Sequence, residues 1–238
     1  VRRNKHADNQ EREEFILDTA YRLWKKDGHA SLTMAGLAKK FSFSKGTLYN
    51  HFQSREDVIL ALICRFVRVC HDLISRASLY SGSPRERFIA ICVAADIDAR
   101  MNESGLEFMA SETLLNNASP ARRDVFLRLH NDIFNTFIGL VRDAISQGDL
   151  PADTEAELVT NSAWSLYVGA QELYQRKFVY PDLKRDDFEQ KQVKMFHALL
   201  DGFRWKPHSS DIDYPALREK VLRDIFPKEA KQLNLKTW

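Results

Sequence analysis

Residues 33–57, TMAGLAKKFSFSKGTLYNHFQSRED, constrain the fold more than any other stretch of the chain. They read as two short amphipathic segments joined by the turn Ser42-Phe43-Ser44. The first runs from Thr33 to Phe41, with Ala35, Leu37, Ala38 and Phe41 on its apolar side. The second starts at Lys45 and ends near Asn50, and Leu48 and Phe52 supply its apolar side. Neither segment is long enough to persist alone in water, because a helical nucleus fixes several residues for its first hydrogen bond. Both must therefore pack on longer helices.

A second helix held across the end of a first, opening on small and polar residues, has the shape that enters a DNA major groove. The run SKGTLYNHFQSRED resembles the signature of the TetR family of bacterial transcription regulators. In that family a Ser-Lys-Gly-Thr-Leu-Tyr-x-His-Phe run forms the recognition helix and leads into the next one. The Thr33 position, the short alanine-rich helix and the Ser54-Arg55-Glu56 opening also match. The close resemblance covers roughly residues 12–65. Beyond that it is one of helix count and length. It implies a three-helix DNA-binding domain over 1–54 and a larger helical ligand-binding and dimerisation domain over 55–238.

With 238 residues and 44% hydrophobic side chains, the chain can bury a full core in one large domain or two small ones. The formal net charge of +2 argues against a general polyanion binder. Residues 1–60, however, hold 11 Lys and Arg against 8 Asp and Glu. That local excess fits a DNA footprint, and equally a solvated face. The cysteines Cys64, Cys70 and Cys92 are odd in number and lack CxxC spacing. They read as buried free thiols in a reducing cytoplasm, with no disulfide framework and no metal site. The N-terminal VRRNKHADNQEREE has no apolar core, so no secretory signal is expected. No apolar run approaches the length of a membrane span.

The rest of the chain reads as an all-α protein of about ten helices. Phe15, Ile16, Ala20, Leu23 and Trp24 recur at helical spacing over 11–26, and Gly28 is the expected C-cap. Ser54 opens a long helix to about Tyr80, with Asp57 at its capping-box position and Val58, Leu62, Phe66, Val69 and Leu73 on one face. Further helices are expected over 84–101, 106–115, 120–147, 154–178 and 185–203. Lys206 to Asp213 is expected to be loop, and a final short helix from Tyr214 to stop before Pro227.

In the recognition segment Ser44 can cap the second helix and aim its first amides at a phosphate. Gly46 lets backbone come close to DNA. Thr47 can meet a base edge or a thymine methyl, and Lys45 a phosphate or a guanine. Tyr49 and His51 can donate to phosphates. The resemblance carries DNA contact to Lys45, Gly46, Thr47, Tyr49 and His51, and backbone clamping to Thr33 and Arg55. Phe43 departs from the small residue common in the family and is expected to pack against the turn. Phe52 is expected to anchor the second helix in the core. The basic Arg2, Arg3 and Lys5 read as a disordered tail, with a minor-groove arm as the rival.

Proteins that resemble the family commonly enclose a small, often apolar inducer between the later helices, where pockets for such ligands are usual. Phe108, His130, Asn131, Phe134, Asn135, Trp164 and Tyr167 are the candidate lining residues. The helices over 154–178 and 185–203 resemble the family's dimerisation pair, with Val193, Phe196, Leu200 and Phe203 as the expected interface stripe. Burial of that stripe inside the monomer is the rival. The leading expectation is a homodimeric repressor that binds a pseudo-palindromic operator in double-stranded DNA and is released by a small-molecule effector, with no cofactor and no membrane. A second is a DNA-binding protein without inducer, acting through a protein partner or architecturally. An enzyme is disfavoured: Asp96, Asp98 and Glu112 are the nearest carboxylates, with no nucleophile, metal spacing or phosphate loop beside them.

Overall fold

The computed structural model describes residues 5–28, 32–102, 110–175 and 181–235. Those residues form helices and turns with no strand among them. The helices are α1 (Lys5–Asp27), α2 (Met34–Ala38), α3 (Lys45–His51), α4 (Arg55–Ser78), α5 (Pro84–Met101), α6 (Glu112–Asn117), α7 (Pro120–Ser146), α8 (Ala156–Gln175), α9 (Arg185–Gly202), α10 (Tyr214–Asp224) and α11 (Pro227–Gln232). They gather into two compact units. The first holds residues 1–68 with 104–130, and the second 69–103 with 131–238. The division expected at residue 54 falls inside the first unit, between Gln53 and Asp57, which are hydrogen-bonded to each other.

In the first unit the core is Ile16, Leu17, Ala20 and Trp24 of α1, Leu37 of α2, Leu48 of α3, Phe52, and residues 58–64 of α4. The α4 stripe is wider than its periodicity predicts. Val58 to Cys64 are buried without a gap, so this stretch of nearly two turns is enclosed on every side, while Val69 is exposed. Gly28 ends α1 with φ +76°, a backbone state that favours glycine, and its amide donates to Trp24 O at 2.9 Å. Arg65 of α4 donates to Asp18 at 2.7 Å and Glu14 at 3.4 Å, tying α4 to α1.

In the second unit α5 is central. Ser83 and Glu86 close a capping box at its start, and Phe88, Ile89, Ala90, Ile91, Val93, Ala94 and Ile97 are all buried. Phe88 meets Phe137, Phe196 and Trp205 edge to face at centroid distances of 5.8, 6.0 and 5.4 Å. A buried ionic network joins α5, α8, α9 and α10. Arg100 donates to Asp96 and to Glu189, each at 2.7 Å, and Arg185 to Asp96 at 2.8 Å and to Gln171 at 3.1 Å. Arg218 donates to Glu189 at 2.8 Å.

The segment after residue 205 is integral to this unit. Trp205, Val221 and Phe226 are fully buried, and Arg76 donates to Ile225 O and Glu229, each at 2.6 Å, while lying over the Phe226 ring. Two expectations change here. Residues 209–211 form a 3-10 turn where loop was predicted, held by Asp201, which accepts from the Ser209 amide and hydroxyl. Pro227 starts α11 where the sequence marks only a stop, because proline fits the first helical position, whose amide has no intrahelical partner.

Candidate nucleic-acid interface

The two short helices are capped by the side chains the sequence offers. Thr33 accepts from the Gly36 amide at 3.0 Å at the start of α2. Ser44 accepts from the Thr47 amide at 3.2 Å at the start of α3, and its hydroxyl shares a 3.0 Å hydrogen bond with the Thr47 hydroxyl. Each cap satisfies a donor that the helix itself leaves open, worth about 1 kcal/mol. Arg55, in the first turn of α4, donates to Leu32 O at 2.6 Å and so binds the start of α4 to the residue before Thr33. Both expected clamps therefore sit at helix starts and are tied together through Leu32.

Lys45, Gly46, Tyr49 and Asn50 are exposed, whereas Leu48 is buried. The Lys45 ammonium lies 5.5 Å from the Tyr49 ring centroid, a cation–π pair on the open side of α3. Tyr49 is 39% exposed. Thr47 is half-buried, with its hydroxyl beside Ser44. A Cβ built on Gly46 would meet only Ser44 Oγ, at 3.6 Å, an ordinary contact. Among the described residues nothing requires glycine there.

His51 departs from the surface role expected of it. Its side chain is 3% exposed, with Nδ1 4.0 Å from Glu13 Oε2. Burial lowers its pKa; Glu13 opposes that, and Arg12 and Arg122 reinforce it. The physical reason is position: His51 closes α3 on the side that faces α1. Phe43 packs, as expected, stacked on Phe41 at 4.6 Å, and Phe41 meets Phe15 edge to face at 5.6 Å. Phe52 is fully buried.

Arg122 and Asp57 hold this arrangement in a way the sequence does not announce. Arg122, in the first turn of α7, donates to Glu13 at 2.7 Å and to His51 O at 3.4 Å, and its guanidinium lies 4.9 Å from the Phe52 centroid. Asp57 accepts from the Gln53 amide at 3.0 Å and from the Ser119 amide at 2.7 Å. One signal was available. The first turn of α7 carries Arg122 and Arg123 with no acidic residue, against the helix dipole. Of the two, Arg122 is the one whose partners offset that cost.

The candidate ligand residues are divided between the two units. Phe108 lies outside the described residues, as do Arg2 and Arg3, and the side chain of Lys5. His130 belongs to the first unit, half-buried against the Phe126 ring at 4.1 Å, and burial lowers its pKa. Asn131 and Asn135 are exposed and Phe134 half-buried. Trp164 and Tyr167 face each other at 6.0 Å on α8, with the Tyr167 hydroxyl 3.5 Å from Ala95 O. In the expected dimer stripe Phe196 and Leu200 are 8% and 0% exposed within a single chain, with Phe196 edge to face with Phe88 of α5. They cannot be surface contacts. Val193 and Phe203 are half-buried. The exposed apolar residues of this pair are instead Leu158, Trp164 and Leu173 on α8 and Met195 on α9. Among the described residues no cluster of His, Cys, Asp or Glu is placed to hold a metal, and no helix is long and apolar enough to cross a membrane.

Residues 16–62, which span α1 to the first turns of α4, match the family described as bacterial regulatory proteins, tetR family. The chain is similar to the HTH-type transcriptional regulator TtgR of Pseudomonas putida, 26% identical over 191 residues that cover 76% of this chain and 87% of that protein. It is also similar to the uncharacterized HTH-type transcriptional regulator YuxN of Bacillus subtilis, 28% identical over 79 residues. That second match covers 33% of this chain and spans only 27% of the relative's length. Among solved structures, a transcriptional regulator of the TetR/AcrR family from Thermobifida fusca shares the fold with a TM-score of 0.58 at 22% identity, over 81% of this chain and 98% of that one.

Proposed function

We propose that this chain, which belongs through its N-terminal domain to the tetR family of bacterial regulatory proteins, is a homodimeric transcriptional repressor released from its operator by a small molecule. The observation that carries the DNA-reading part is the open face of α3. Lys45 and Tyr49 stand there as a pair, the Ser44–Thr47 cap sits at its start, and Gly46 has room that no neighbour in the chain uses. Lys45 and Tyr49 would meet phosphates, and Thr47 a base edge. His51 would act indirectly, by seating α3 against α1. Selection of bound duplexes from a random pool would supply the operator, and salt titration would follow. Each neutralised phosphate contributes about −0.9 to the slope of log K against log salt. Tyr49→Phe should weaken all duplexes alike, and Thr47→Ala should shift sequence preference. Gel shifts in which neither change alters binding would overturn the assignment.

A tetR-like reader needs two copies to span two half-sites. The exposed Leu158, Trp164, Leu173 and Met195 support α8 and α9 as the dimer surface, with their outward faces in contact. For the effector, the second unit offers buried donors without a partner among the described residues: Gln171 Nε2, Gln192 Nε2 and Trp205 Nε1. A polar group of a ligand would satisfy them. The coupling must be reciprocal, so operator DNA should weaken effector binding by the factor the effector weakens DNA. Calorimetry of a candidate effector with and without operator tests this, and equal affinities would remove the inducer. The close packing of Phe88 with Phe137, Phe196 and Trp205 favours the second reading, in which the body takes no ligand and the regulator works through a protein partner.

A further inference from the structure

The seven-residue α3 has little means of fixing its own orientation. Its start is held by Ser44 and its middle by Leu48. Its end is held from a helix that begins 69 residues after α3 stops by number, at Pro120. Arg122 reaches three groups there at once: the His51 carbonyl that α3 leaves open, the Glu13 carboxylate on α1, and the face of the Phe52 ring. Asp57 makes a second tie. One carboxylate oxygen takes the Gln53 amide just after α3, and the other takes the Ser119 amide just before α7. The connection from α3 to α4 is thus fastened at two points to the first turn of α7. All of these residues lie in one compact unit.

We infer that Arg122 is the positioning residue of the recognition helix, with Asp57 as its second anchor, and that the α6–α7 junction sets the tilt at which α3 meets DNA. The inference rests on the reading of α3 as the DNA reader. A cation in the first turn of α7 opposes that helix's dipole, and the contacts to His51 O and Glu13 offset it. Movement of the junction by the length of a hydrogen bond would release the end of α3 while leaving its Ser44 cap intact. Arg122 does this without touching a base, since its guanidinium is occupied within the protein.

The test uses the full chain with Arg122→Ala and, as the charge-matched control, Arg123→Ala from the same turn. Hydrogen exchange is read at amides 48–52 and compared with amides 59–63 of α4. The Arg122 variant should exchange about tenfold faster at 48–52, with α4 amides unchanged; a general loss of stability would move both sets. Against the duplex selected by the wild-type protein, Arg122→Ala should bind about tenfold more weakly than Arg123→Ala. Arg122→Lys should fall between, since a lysine reaches Glu13 and lacks the planar fork. Equal exchange and equal affinity for Arg122→Ala and Arg123→Ala would overturn the inference. If the alanine variants do not fold, Arg122→Lys against Arg123→Lys decides by the same two measurements. If the wild-type protein selects no duplex, the DNA reading fails by itself, and exchange at 48–52 still decides the role of Arg122.

Discussion

Gly46→Ala separates folding from DNA binding at a single methyl group. Gly46 lies in the first turn of α3, is exposed, and has no positive φ to defend. The new Cβ would sit 3.6 Å from Ser44 Oγ, which is ordinary contact, so no strain opposes the change. Alanine also restricts the unfolded chain more than glycine does. The folded protein should therefore gain about 0.5–1 kcal/mol, or about 2 °C in melting temperature for a chain of this size. At the DNA the same methyl occupies space reserved for close approach of backbone. A tenfold loss of operator affinity corresponds to about 1.4 kcal/mol, and the clash should cost at least that. The assay is thermal unfolding of free protein beside fluorescence anisotropy with the selected duplex. A more stable protein that binds as well as wild type would refute the reasoning, because the room around Gly46 would then serve nothing.

The remaining predictions address the body. Glu189→Gln should cost about 3 kcal/mol in urea unfolding, because Arg218 and Arg100 lose a buried carboxylate; adding Arg218→Met should recover most of it, and a double variant no better than the single one would break the network argument. Phe196→Glu should give insoluble protein, since it places a charge in the core, whereas Met195→Glu, at the preceding position and 46% exposed, should give a folded monomer on sedimentation. Asp201 is held at about 2: burial works to raise its pKa, and the Ser209 hydrogen bonds and Arg85 outweigh it. Its contribution is present above pH about 4 and lost as pH falls towards 2, and solvent screening keeps it modest, so Asp201→Asn should lessen the fall of the urea midpoint over that range.

The elements are legible where a local signal marks them. Ser83-Pro84 opens α5, Gly148 closes α7, and Ser44 caps α3, because capping and helix-stopping act within a few residues. What periodicity cannot tell is what covers an apolar face. The stripe through Phe196 and Leu200 is apolar, as its spacing predicts, and both residues are buried within the single chain, Phe196 against Phe88 of α5. Phe15 and Val69 stand in good stripes and are exposed. In the reader, Lys45, Tyr49 and the two caps lie where the motif implies, while the side chain of His51 turns inward. The charges at the start of α7 mark Arg122 as unusual, but its partners are 71 and 109 positions away, and no local signal links them.

The distance of those partners explains how so short a helix is held in place. Fixing the backbone of the seven residues of α3 costs on the order of 10 kcal/mol in conformational entropy. Burial of Leu48 and Phe52 offsets about 3–6 kcal/mol of this, and the Ser44 cap about 1 more. The shortfall of a few kcal/mol has to be met from outside the helix. Charge-assisted hydrogen bonds at about 1.5–3 kcal/mol each are of the right size, and Arg122 and Asp57 supply them. On the inference above, the end of α3 keeps its orientation while the first turn of α7 stays in place. An element held by so few external contacts is one whose orientation a small displacement can change.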